Sequence, residues 1–482
     1  MIDFRPVAHI IGWLLMALGT IMLVPMLLDL SLGNPDWQVF LQSALITVLT
    51  GGLVALATAN ALGPSLTLRQ SFLLTTLTWI VLPLFGALPL LIGLPGLSWT
   101  DAMFEAMSGM TTTGTTILTG LDDMPPGILL WRSILQWLGG LGIVIVALIF
   151  LPVMKVGGMQ HFRSEGFDTM GKVLPRAADI SWMLLQIYAG LTILAGLAYL
   201  IAGMSPFDAV NHALTTVSTG GFSTRDASFA AFDAPTHWIA SAFMWLAGLP
   251  FIRYVQLVNG SVQPLFRDIQ VRAYFRWTLY AVGLVVGYRL MTSDEPLEAV
   301  IREASFNVVS LFSGTGFGSA EIDAWGDFPI LVFIVAGFIG SCTASTGCSL
   351  KVFRYLVLFE ANKAQLRQMV SPNRVIILQL DGRRLQDDVV ASVVVMFSAF
   401  VLGFGILTIL LSLSGLEMRT AFTAAWTAIA NIGPAFGPEV GPTGAVDGFP
   451  AVAKWLMIVA MLLGRLEMVS VLVILLPRFW RG

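Results

Sequence analysis

Long apolar stretches, almost free of charge, dominate the chain and are cut by short polar segments. They occupy residues 7–28, 37–62, 70–99, 133–154, 180–204, 328–350 and 389–416. Weaker runs lie at 234–258, 273–291 and 452–477, and each carries an arginine near or inside it: Arg253, Arg289 and Arg465. A helix needs about 20 mostly apolar residues to cross a bilayer, so the pattern predicts ten spanning helices. The first run is too long for a cleaved leader and lacks a small-residue cleavage pattern, which marks it as an anchor.

Four of the polar segments between runs align without a gap. They read DAMFEAMSGMTTTG (101–114), DAVNHALTTVSTGG (208–221), EASFNVVSLFSGTG (303–316) and TAFTAAWTAIANIG (420–433). Each has alanine second (Ala102, Ala209, Ala304, Ala421) and glycine last (Gly114, Gly221, Gly316, Gly433). Each sits between two spans, so the unit is helix, short amphipathic segment, glycine, helix. The chain then divides into two leading helices (1–66) and four repeats (67–175, 176–268, 269–380, 381–482). About ten residues of helix reach only about 15 Å, too short to span. A half-helix that returns as extended backbone is tolerated at membrane depth only where protein buries it or water lines it. Four copies around an axis therefore predict a central water-lined site. Glycine accepts φ > 0 there and lets the backbone aim carbonyls inward, as rings of carbonyls do in potassium filters. The C-terminal helix ends would add partial negative charge. A plainer alternative is four helix ends capped by a glycine at C′.

Composition narrows the function. The chain is 56% hydrophobic and 11% charged, with mean hydropathy +0.82, against roughly 25% charged in a soluble domain. A net charge of −3 gives no basic footprint for nucleic acid. Most of the 26 lysines and arginines fall on one side of the ten spans, including Arg5, Arg69, Lys155, Arg163, Lys172, Arg176, Arg267, Lys351, Arg354, Arg374 and Arg478. The positive-inside rule puts that side, and both termini, in the cytoplasm. The other side collects Asp101, Glu105, Asp122, Asp123, Asp208, Asp294, Glu295, Glu298, Glu303 and Glu321, which could concentrate cations at a mouth.

These residues resemble the membrane (pore) subunit of the Trk/Ktr/HKT superfamily of potassium transporters, most nearly the bacterial Trk type. The resemblance is carried by MTTTG (110–114), GGFST (220–224), GTGFG (314–318) and NIGP (431–434), with QWLGGLGI (136–143), GGMQ (157–160), the small polar run 342–349 and GRLE (464–467). It covers essentially the whole chain. It implies an all-α integral membrane protein with four pseudo-symmetric helix–pore-loop–helix repeats around one pore, plus the two leading helices. It also implies a homodimer in the bacterial inner membrane, potassium as the transported ion, and a cytoplasmic nucleotide-binding regulatory ring on another chain. The filter would comprise Thr111, Thr112, Thr113 and Gly114; Ser218, Thr219, Gly220 and Gly221; Ser313, Gly314, Thr315 and Gly316; and Ala430, Asn431, Ile432 and Gly433. The sequence departs from the family's usual pattern at Ser313–Gly316, at 346–349, and at Leu249, Pro250, Phe251 and Arg253.

The run from Gly340 to Ser349 interrupts an apolar span. As a gate it would place Cys342, Thr343, Ala344, Ser345, Thr346, Gly347, Cys348 and Ser349 below the filter; as packing it would serve close helix approach. The two cysteines are expected as free thiols. Arg465 lies mid-span, where a charge is costly; it is read as a barrier in the pore, or as a structural ion pair with Glu467. His9, His161, His212 and His237 have no ligand spacing, no catalytic pair is apparent, and no phosphate loop follows a strand. A transporter without a cofactor of its own is therefore expected rather than an enzyme, and a sodium-permeable or ion-coupled homologue is the alternative.

Overall fold

The computed structural model describes residues 3–61, 66–94, 96–150, 177–373 and 376–481. The GGMQ run and Lys155, Arg163, Lys172, Arg176 and Arg374 lie outside them. Regular structure among the described residues is helical except for one hairpin, Gln379–Leu380 paired with Arg383–Arg384. Its turn, Asp381 and Gly382, has positive φ at both positions, the geometry that matches strand twist.

Among the described residues, six helices are long and apolar enough to cross a membrane: Arg5–Ser31, Trp37–Ala57, Leu68–Ile92, Pro126–Leu148, Ser181–Ile201 and Asp387–Leu413. The other four predicted spans take different forms. Ala234–Ala247 and Phe251–Val258 meet at a 93° bend, and Ala451–Arg465 and Val469–Leu475 at 110°. Asp327–Ile339 stops after 13 residues, runs into a non-helical loop and resumes as Val352–Val370. Ile269–Thr292 is a continuous 24-residue helix with Arg272, Arg276 and Arg289 along it. The run predicted to reach residue 99 ends at Ile92, and Trp99 opens the next helix under a Ser98 cap. Thus the second helices of repeats two, three and four are all interrupted, whereas that of repeat one continues straight to Ile145.

The leading hairpin packs through glycine. A side chain at Gly12 would meet Gly51 O at 2.7 Å, and one at Gly51 would meet Gly12 O at 2.6 Å, so the two backbones touch, as small residues allow in membranes. Asp29, fully buried at the hairpin's outer end, accepts the Gly127 N–H at 2.8 Å. That caps the first turn of Pro126–Ile145 and ties the hairpin to repeat one.

Four short helices, Trp99–Met110, Pro206–Val217, Leu297–Ser313 and Met418–Ala430, form the interior. Each is buried nearly all round toward its C-terminal end. Charged contacts on the outer side join neighbouring repeats: Arg225 to Asp122 (3.1 Å), Arg302 to the His237 ring (2.9 Å), Arg419 to Asp323 (2.6 Å) and Lys454 to Asp101 (2.6 Å). The last joins repeat four to repeat one and closes a circle.

Candidate ion pathway

All four short helices end in the same way. The N–H of the residue before the aligned glycine bonds back to the carbonyl five residues earlier: Thr113 to Ser108 (2.9 Å), Gly220 to Thr215 (2.9 Å), Thr315 to Ser310 (2.8 Å) and Ile432 to Thr427 (3.2 Å). The residue before that donor is left-handed in every case, with φ +51° at Thr112, +52° at Thr219, +80° at Gly314 and +51° at Asn431. This is a Schellman ending whose cap is that residue. The aligned glycine lies two positions further on and is not the cap, so the plainer alternative fails. In repeat three, Gly314 simply takes the left-handed site that Thr or Asn takes elsewhere.

The aligned glycines are left-handed too, with φ +86° at Gly114, +80° at Gly221, +84° at Gly316 and +117° at Gly433. A Cβ on Gly114 would fall 2.2 Å from Gly220 O. One on Gly221 would fall 2.0 Å from Thr315 O, one on Gly316 2.0 Å from Ile432 O, and one on Gly433 3.1 Å from Thr113 O. Each glycine thus abuts the carbonyl that precedes the glycine of the next repeat, and the fourth returns to the first. Of the sixteen predicted filter residues, the four glycines and Thr113, Gly220, Thr315 and Ile432 are brought together as one closed circle of backbone contacts.

Side chains hold the ring from outside. Ser108 and Ser310 hydroxyls donate to Thr115 O and Phe317 O, at matching positions of repeats one and three. Hydroxyl pairs Thr111–Thr113 and Ser313–Thr315, each at 2.7 Å, repeat the correspondence. Asn431 Nδ2 donates to Thr113 Oγ1 at 2.8 Å, and Thr115 Oγ1 to Gly433 O at 2.6 Å, joining repeats four and one.

The interrupted span of repeat three lies directly against this ring. A Cβ on Gly347 would meet Ser313 O at 2.6 Å, Ser349 Oγ donates to Ala430 O at 3.2 Å, and Cys348 Sγ stands 4.0 Å from Thr112 Oγ1. The loop docks onto the bend of repeat two: Cys342 N–H donates to Gly248 O (3.0 Å), Thr346 Oγ1 to Ala247 O (3.1 Å), and Phe251 N–H to Ala344 O (2.9 Å). Gly248 O and Ala247 O are the carbonyls a helix end leaves unpaired, and Pro250 prevents the helix from continuing. The unusual Leu249, Pro250 and Phe251 therefore form the seat of the loop.

Arg465 is 2% exposed. Its Nη1 donates to Thr346 O at 3.2 Å and touches Cys348 Sγ, and its Nη2 donates to Gly139 O at 3.1 Å. No carboxylate among the described residues pairs with it. Glu467, the expected partner, pairs instead with buried Arg354, which also donates to Leu350 O. Arg354 and Lys351, counted by sequence among inner-loop charges, are 1% and 4% exposed. Of the predicted loop residues, Thr346 and Cys348 contact Arg465, whereas Cys342, Thr343 and Ala344 face the repeat-two bend and Gln270.

The outer acids are mostly engaged. Glu105, fully buried, binds Arg132 at 2.7 Å and accepts from Thr116 Oγ1 and Ile117 N–H. Asp208 and Asp122 share Arg225, Glu295 and Glu303 share Arg289, Glu298 meets Arg302, and Asp101 meets Lys454. Of the ten named by sequence, Asp123, Asp294 and Glu321 make no ion pair among the described residues. The sequence gives Arg132 no role and Gln136 only a place in QWLGGLGI, yet both reach the repeat-two loop from behind. Their signal is two polar residues four apart on an otherwise apolar helix.

The TrkH family, described as a cation transport protein, matches residues 36–480. The Trk system potassium uptake protein TrkI of Halomonas elongata is 39% identical over 480 residues, spanning 99% of this chain and 97% of its own. The Trk system potassium uptake protein TrkH of Escherichia coli K12 is 36% identical over 489 residues, covering 99% of each chain. The crystal structure of the potassium transporter TrkH from Vibrio parahaemolyticus superposes with a TM-score of 0.90 at 32% identity, over 100% of both chains.

Proposed function

The chain belongs to the TrkH family of cation transport proteins, and from that premise we propose that it carries out potassium uptake across the bacterial inner membrane. The observation that carries this reading is the circular contact of Gly114, Gly221, Gly316 and Gly433 with the carbonyls of Gly220, Thr315, Ile432 and Thr113. Four equivalent backbone oxygens around one axis are the donor set that replaces a cation's hydration shell. A glycine in every repeat keeps side chains out of the ring. The filter comprises residues 111–114, 218–221, 313–316 and 430–433.

The loop 342–349 and Arg465 form the gate. A fixed positive charge under the ring opposes a passing cation, and the Thr346 carbonyl holds that charge in place. Movement of the loop away from the ring frees Arg465 to swing aside. The chain divides at 66, 175, 268 and 380 into the leading hairpin and four repeats, with both termini cytoplasmic. It forms a homodimer, and a separate nucleotide-binding ring docks on the basic inner face; the names of its relatives speak of a Trk system, which fits a transporter with partner subunits.

The test is growth of a potassium-uptake-deficient bacterium at limiting potassium, with rubidium and sodium uptake measured with and without candidate partners. Rescue with rubidium uptake well above sodium is expected. Equal uptake of the two ions would replace this reading with a sodium-permeable homologue.

A further inference from the structure

Helix Pro126–Ile145 of repeat one lies along the repeat-two loop. Arg132, Gln136 and Gly140 are spaced by four and share one helix face. They meet successive parts of the loop in reverse order. Arg132 Nη1 donates to Ser223 O at 3.2 Å, and its guanidinium stands 4.2 Å from the Phe222 ring centroid. Gln136 Nε2 donates to Gly220 O at 2.6 Å, and its Oε1 accepts the Phe222 N–H at 3.0 Å. A Cβ on Gly140 would lie 2.8 Å from Ser218 Cβ. The Gln136 side chain is fully buried. One of its neighbours needs a donor and the other an acceptor, so the amide has one orientation.

Gly220 O belongs to the ring. Of the four carbonyls that abut the aligned glycines, it is the one that receives a side-chain hydrogen bond among the described residues; Thr113 O, Thr315 O and Ile432 O receive none. Repeat two also has glycine where the others have Thr113, Thr315 and Ile432. The reason is spatial: a Cβ on Gly220 would lie 2.3 Å from Gln136 Cδ and Oε1. The joint between repeats three and four inverts this arrangement, because a Cβ on Gly337 would lie 2.6 Å from Ile432 Cδ1. One joint places the large residue on the helix and glycine in the loop; the other does the reverse. Of these two joints, only the first supplies a donor to the ring.

We propose that Gln136 is a positioning residue that fixes the direction and coordinating strength of the Gly220 carbonyl, and through it the preference for potassium over sodium. The inference rests on the reading of the ring as the ion site. A carbonyl oxygen has two lone pairs. One accepts from Gln136, which leaves the other for an ion. The donor draws electron density from the oxygen and stops it swinging toward the axis. Without it, the carbonyl closes more readily on a smaller ion, and selectivity depends on the number, field strength and mobility of such groups.

Two variants test this. Gln136→Leu keeps a branched side chain and loses both donor and acceptor, and Gln136→Met keeps length and volume and loses both. Rubidium and sodium uptake are measured in vesicles at equal folded protein, with Gly316→Ala alongside. The preference is expected to fall about two- to tenfold in both Gln136 variants, the range of one hydrogen bond, and to disappear in Gly316→Ala. A space-filling role for Gln136 would lower abundance at an unchanged ratio. An unchanged ratio in both variants, with loss in Gly316→Ala, overturns the assignment of Gln136 and leaves the filter reading standing. An unchanged ratio in all three overturns the filter reading itself. If neither single variant accumulates, Gln136→Ala with Gly220→Thr copies the small-on-helix joint and yields protein without the donor. The same ratio then decides.

Discussion

Gly314 and Gly316 form a matched pair for testing whether the ring selects ions. They lie two residues apart, with nearly equal φ of +80° and +84°. Alanine at either site takes on the same left-handed strain, about 1–2 kcal/mol. Their surroundings differ. At Gly314 the nearest atoms to a new Cβ, Asn431 O and Cys348 N, are both 3.6 Å away, an ordinary contact. At Gly316 the Cβ would sit 2.0 Å from Ile432 O, with Ile432 C at 3.0 Å and Pro434 Cδ at 3.1 Å. Ordinary contact needs about 3.5 Å, so the ring carbonyl must retreat by more than about 1 Å, and a backbone atom has no rotamer to turn. Gly314→Ala should therefore reduce abundance modestly and keep the rubidium-to-sodium ratio. Gly316→Ala should lower that ratio at least about tenfold, equivalent to about 1.4 kcal/mol. The assay is uptake of both ions in a potassium-uptake-deficient strain, normalised to membrane protein. Equal ratios in the two variants, at any abundance, would refute the reasoning, because the shared strain would then account for everything.

Three further outcomes are expected. Arg465→Gln should raise rubidium flux per folded molecule at least about tenfold with preference retained, since unit charges about 6 Å apart repel by about 3 kcal/mol at an effective dielectric of 20; flux falling in step with folded protein would make Arg465 structural. Glu467→Gln leaves the Arg354 guanidinium buried without its carboxylate and should destabilise by about 3–5 kcal/mol, seen as a lower melting midpoint in detergent that Arg354→Met with Glu467→Leu largely restores. Pro250→Ala lets the helix of repeat two continue and cover Ala247 O and Gly248 O, so the gate loop should lose its seat and resting flux should rise with the ion ratio unchanged; unaltered resting flux would show that the loop does not depend on the bend.

Hydropathy located the spans because lipid demands it, and the aligned glycines marked the ring because one backbone constraint recurs four times. The bends escaped because residues on both sides of Pro250 and of Glu467 are apolar, and a running average does not register a change of direction. Arg354 was assigned to an inner loop because charge alone looks solvent-exposed; its partner Glu467 is 113 residues away. The cap residues Thr112, Thr219 and Asn431 are not legible in the sequence, because composition would give their left-handed conformation to glycine. Gln136 stands out in the sequence only as part of a motif, since its role depends on a carbonyl 84 residues further on.

The circle has a consequence for how the protein is made. Lys454 meets Asp101 across 353 residues, and Asn431 meets Thr113 across 318. At about 5–20 residues per second of synthesis, the first filter segment leaves the ribosome roughly 20–70 s before its final neighbour exists. Throughout that interval its carbonyls face an unfinished wall inside the bilayer, where an unsatisfied polar group costs several kcal/mol. Insertion of the last span is thus the step that commits the nascent chain. A ribosome that stalls before Ala430 releases three-quarters of a ring, a product that membrane quality control can recognise by its open seam.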